Sequence, residues 1–104
     1  MSGWIGVDLD STLAYHAGGL GIGVPIPKMM ARVKKWLNEG KTVKIMTARA
    51  SVPELIPDVQ AWCLLHVGQV LEVTNQKDFG MIELWDDRAV QVEPNTGVRA
   101  DGKE

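Results

Sequence analysis

The 104 residues are 45% hydrophobic and 23% charged with a net charge of −2, which suits one domain whose core needs no disulfide or metal staple. That balance excludes global attraction to nucleic acid or an anionic membrane and leaves only a local basic patch open. The lone Cys63 excludes an internal disulfide, and without a leader pattern or a membrane-length apolar run a cytoplasmic protein is expected.

Trp4-Ile5-Gly6-Val7 reads as a first strand, and Asp8-Leu9-Asp10-Ser11-Thr12 follows it directly. Two carboxylates one residue apart repel when both are ionised unless a cation or a shared proton relieves them. The segment therefore reads as a site for Mg²⁺ and a phosphorylated substrate. Ala14 to Pro25 is a loop rich in glycine that lacks the Lys-Ser/Thr ending of a phosphate-cradling loop, so it reads as a flap. Tyr15 and His16, just past the first acids, are either substrate contacts or exposed loop residues.

Pro27 suits a first helical turn, Met30, Val33 and Leu37 recur at helical spacing, and Gly40 is a fitting stop. Thr42 to Met46 is a second strand running into Thr47-Ala48-Arg49. Pro57 lies too close to the capping-box pattern of Ser51 and Glu54 for a helix to begin there, so a turn precedes a helix from about Pro57 to Val67, stopped by Gly68. Val70 to Val73 is a third strand leading to Lys77, and Met81 to Trp85 a fourth leading to Asp86-Asp87-Arg88. Val90 to Val92 reads as a short fifth strand before a turn at Pro94-Asn95-Thr96-Gly97. Residues 1–98 form a single domain, and Arg99 to Glu104 is expected to fray.

Strands alternating with helices predict an α/β fold with a mainly parallel sheet of about five strands. In such a sheet the carboxyl ends share one edge, and ligands bind in the crevice there. Asp8, Asp10, Thr47, Lys77, Asp86 and Asp87 all stand at or just past strand ends, so they are expected to converge. That set supplies what phosphoryl transfer needs. Asp8 can attack phosphorus, Asp10 can carry a proton, Thr47 can donate to a phosphoryl oxygen and Lys77 can balance charge. Taken singly, the bland readings stand beside these: Thr47 as the cap of the next turn, Lys77 and Arg49 as surface cations. Trp4, Trp36, Trp62 and Trp85 read as core, His66 as packed and Cys63 as a small buried hydrophobe.

The chain resembles the haloacid-dehalogenase-like superfamily, chiefly its Mg²⁺-dependent phosphatases. The resemblance rests on Asp8-Leu9-Asp10-Ser11-Thr12, on Thr47 ending the second strand, on Lys77 and on the acidic pair Asp86-Asp87, in that order along the chain. It implies a three-layer Rossmann-like fold with helices on both faces of the sheet. It also implies Asp8 as nucleophile through an aspartyl-phosphate and Asp10 as general acid and base. Thr47 and Lys77 would hold phosphate together with Ala48 and Arg49, and Asp8, Asp10, Asp86 and Asp87 would serve the metal. Ser11 departs from the Gly common in the family. The chain has no room for an inserted cap, which favours a bulky phosphorylated substrate or a homo-oligomer that covers the site. Asp86-Asp87-Arg88 is similar to the phosphatase domains that act on 3′-phosphates of nucleic acid ends. A rival of another class is a metal- and phosphate-binding module without turnover, against which Asp10 weighs. Response-regulator receiver domains combine similar groups in a different order.

Overall fold

In the computed structural model, which describes residues 3–103, the elements run β1 (Trp4–Val7), α1 (Pro27–Asn38), β2 (Thr42–Met46), 3-10 turns at Ala48–Ser51 and Pro53–Leu55, α2 (Ile56–His66), β3 (Val73–Thr74) and β4 (Met81–Trp85). The strands form one all-parallel sheet of four in the order β3-β2-β1-β4. The architecture is Rossmann-like α/β, as the alternation of patterns implies.

Period-two alternation sends Ile5 and Val7 of β1, with Val43 and Ile45 of β2, to one face. There they pack with Met29, Met30 and Val33 of α1 and with Val59, Trp62 and Cys63 of α2. Both helices thus serve one core. The other face, where helix cover was also expected, carries Trp4, Gly6 and Lys44 and is crossed by the segment 75–80. Trp4 donates its indole N–H to Asp78 Oδ1 at 2.8 Å, and its amide meets Gly80 O at 2.8 Å. Six residues between β3 and β4 must span the sheet's width and height, which leaves no slack for a helix.

α1 starts at Pro27 without a side-chain cap, and the chain turns at Gly40 with φ 80. Two expectations change. β3 occupies Val73–Thr74 rather than Val70 to Val73, because the residues before it deliver Leu71 into the core instead of running beside β2. Val90 to Val92 adds no fifth strand; Val92 pairs only with Arg99 in an antiparallel bridge. The predicted turn explains this: Asn95 at φ 64 and Gly97 at φ 75 reverse the chain. Ala100 N then reaches Gln91 O at 2.9 Å, and Arg99 pairs with Asp101. The tail is therefore folded back rather than frayed through Asp101, while its last residue, Glu104, lies outside the described residues.

Candidate active site at the carboxyl edge of the sheet

β1 continues its pairing one residue past its end, since Asp8 N donates to Trp85 O at 2.9 Å. That bond sets the Asp8 side chain beside the acids that follow β4. Asp8, Asp86 and Asp87 each offer a carboxylate oxygen within 4.8 Å of the others. The next turn wraps on one carbonyl: Leu9 O accepts from the amides of Thr12, Leu13 and Ala14. Buried Leu9 and Leu13 anchor it from below. Ser11, at its tip, takes φ 68. Thr12 donates to Asp87 Oδ1 at 3.3 Å, and Asp86 Oδ1 accepts the amides of Arg88 and Ala89.

Burial, a hydrogen bond shared with Asp87 and the charges of Asp86 and Asp87 together push the Asp8 carboxyl from 3.8 up to about 7. Crowded acids that relieve their repulsion by holding a proton are the donor set a hard divalent cation displaces protons from. Oxygen-only ligands suit Mg²⁺, so the residues present fit it.

Asp10 stands on the other side of the same turn. Arg49 Nε reaches Asp10 Oδ2 at 2.8 Å and Arg49 Nη2 reaches Asp10 Oδ1 at 2.9 Å, a bidentate ion pair. His16 Nδ1 lies 3.4 Å from Asp10 Oδ1. The Asp10 carboxylate holds the Arg49 guanidinium above its ordinary pKa. Thr47 is buried, and its Oγ1 accepts the Arg49 amide at 3.1 Å. It caps the following 3-10 turn as the bland reading had it, yet its hydroxyl proton is left to donate into the site.

A cavity of about 630 Å³ gathers Asp8, Asp10, Thr47, Ala48, Arg49, Asp86 and Asp87. It also takes in Arg88, noted above only within Asp86-Asp87-Arg88, and Ser51 and Asn75, which the sequence did not single out as site residues. Asn75 carried one signal: it is the first residue beyond β3 on the shared edge. Lys77 is exposed in the crossing segment and is not among the lining residues. No helix lies between β3 and β4 to bring a lysine back to the site. Trp62 and Cys63 are buried as expected, burial lifts the Cys63 thiol to about 11, and His66 packs on Trp62 at 4.7 Å between ring centres.

No known protein family and no curated protein matches the chain. It is similar to a solved structure of a conserved protein from Bacteroides thetaiotaomicron, with a TM-score of 0.69 and 23% identity over 86% of this chain and 79% of that one. That likeness shows the fold. Among the described residues, no helix is long and apolar enough to cross a membrane.

Proposed function

We propose that this chain is a phosphomonoester hydrolase of the haloacid-dehalogenase-like kind, dependent on Mg²⁺ and acting through an aspartyl-phosphate. The observation that supports it most is the convergence of Asp8 with Asp86 and Asp87 at one sheet edge, in a cavity shared with Asp10 and Thr47. An Asp8 oxygen attacks phosphorus in line, the bond to the leaving oxygen breaks, and Asp10, which enters this step in its acid form, gives that oxygen its proton and is left as the carboxylate. Asp10 then takes a proton from the water whose oxygen attacks the phospho-Asp8, which frees phosphate and restores the Asp8 carboxylate. Thr47 donates its hydroxyl proton to a phosphoryl oxygen throughout. Asp8, Asp86 and Asp87, with the Asp10 main-chain oxygen, would hold Mg²⁺, which when bound supplies charge neutralisation for the acids and the phosphoryl oxygens.

The flap is the segment nearest to a cap, so the reading extends to bulky phosphorylated substrates. One observation favours nucleic acid ends among them. α1 carries Lys28, Arg32, Lys34 and Lys35 and no acid, and no ion pair joins these cations to another described residue. Lys28 and Arg32 share a hollow with Asp86 and Asp87 at the site's rim. Backbone phosphates would find these charges.

The test is turnover of a generic aryl phosphate with Mg²⁺, followed by sugar phosphates, nucleotides and a 3′-phosphorylated oligonucleotide. Asp8→Asn is expected to lower the rate by roughly a thousandfold or more while the fold is kept. A full rate in that variant removes Asp8 as nucleophile, and no turnover of any substrate by the parent protein overturns the reading.

A further inference from the structure

Four of the five N–H groups of the Arg49 guanidinium donate within the chain. Besides the two bonds to Asp10, its Nη1 donates to Leu20 O and its Nη2 to Gly21 O at 3.2 Å. Its side chain is only 9% exposed, against 25% for Asp10. Three segments meet on this one group: the turn after β1, the turn after β2 and the tip of the flap. The base of the flap has its own supports, since Tyr15 N donates to Val24 O at 2.8 Å and Trp62 Nε1 to Gly23 O at 2.9 Å. The tip has none of these. It runs through Gly18 and Gly19, where an added Cβ would meet nothing within 4 Å, and its hydrogen bonds to the rest of the described chain are those from Arg49.

We propose that Arg49 is a positioning residue that ties the proton carrier Asp10 to the flap, so that closing the flap and orienting Asp10 are one event. The role of Asp10 in this rests on the phosphatase reading above; the tie itself does not. A planar guanidinium can meet both carboxylate oxygens and two carbonyls at once, which an ammonium cannot. The rival is that Arg49 binds the substrate phosphate, for which one of its five N–H groups is left while these four bonds stand.

Limited cleavage by thermolysin before Leu20 and Ile22 reads the tie without any turnover. Cleavage is expected to rise about tenfold in Arg49→Ala and in Asp10→Ala, and by less in Arg49→Lys. Val59→Ala, which weakens the core alone, controls for global opening. Leaving groups read the positioning. Arg49→Ala is expected to lose roughly a hundredfold in kcat on phenyl phosphate, which needs a proton delivered, and under about tenfold on dinitrophenyl phosphate, which does not. KM and inhibition by inorganic phosphate should hardly move. Unchanged flap cleavage in Arg49→Ala and Asp10→Ala overturns the tie. An equal loss across leaving groups with a raised KM gives Arg49 to the phosphate instead. If the parent protein turns over nothing while cleavage rises as stated, the tie holds and the phosphatase reading fails.

Discussion

Ser11 adopts φ 68, where the Cβ of an L residue crowds the backbone. The turn demands it, because three consecutive amides converge on Leu9 O within a few residues. Glycine removes the crowding but gains freedom in the unfolded chain, so Ser11→Gly is expected to stabilise by a net of about 0.5–1 kcal/mol. A urea midpoint that falls in Ser11→Gly would refute this. The sequence marked Ser11 as a departure from the family pattern, but its sign depends on a dihedral set by the wrapped turn. Arg49 and Lys77 make the same point from opposite sides. Both are cations just beyond strand ends, yet one is drawn into the site by Asp10 while the other leaves with the crossing segment.

Among the elements, the flap shows how position decides what a glycine does. A Cβ on Gly23 would lie 1.8 Å from Tyr15 O, whereas one on Gly21 would meet nothing within 4 Å. Gly23→Ala must therefore push the flap strands apart, breaking the Tyr15 and Val24 pairing at a cost of about 1–3 kcal/mol. Gly21→Ala is expected to change stability by less than about 0.5 kcal/mol. Thermal melts of the two variants compare them directly, and equal melting temperatures would contradict the packing. The run of glycines was legible as a flap; which of them carries the close approach was not, since Tyr15 O arrives from the opposite arm. The strands divide likewise. β1, β2 and β4 were readable at their observed limits because each has four or five residues of strand pattern. The expected third strand was as long in pattern as β1 and the expected fifth was shorter, but Leu71 was claimed by the core and Val92 by Arg99.

For the whole molecule, the acidic cluster links stability to pH and to metal. The Asp8 carboxyl titrates at about 7 when folded against 3.8 as its ordinary value. The folded state then binds the proton more tightly, so this contribution is fully present below about pH 4 and is lost as pH rises through about 7. Without divalent cations, the melting temperature is expected to fall over that window, and Asp8→Asn to flatten the fall. Added Mg²⁺ should raise the melting temperature more at about pH 8 than at about pH 5, because at low pH the metal must displace a proton. A chelator should reverse the gain. Calorimetric scans across pH, with and without Mg²⁺, measure all three, and a metal effect independent of pH would separate the ion from Asp8.

The order of strand and helix patterns, and acids stationed at strand ends, were enough by themselves to place Asp8, Asp10, Thr47, Asp86 and Asp87 at one edge. A parallel sheet brings all its carboxyl ends together whatever the details of its connections. Only the tertiary structure decided that Lys77 turns away, that Asn75 and Arg88 line the cavity, and that Arg49 spans Asp10 and the flap. Those outcomes rest on path lengths between strands and on hydrogen bonds between segments distant in sequence, and local pattern encodes neither.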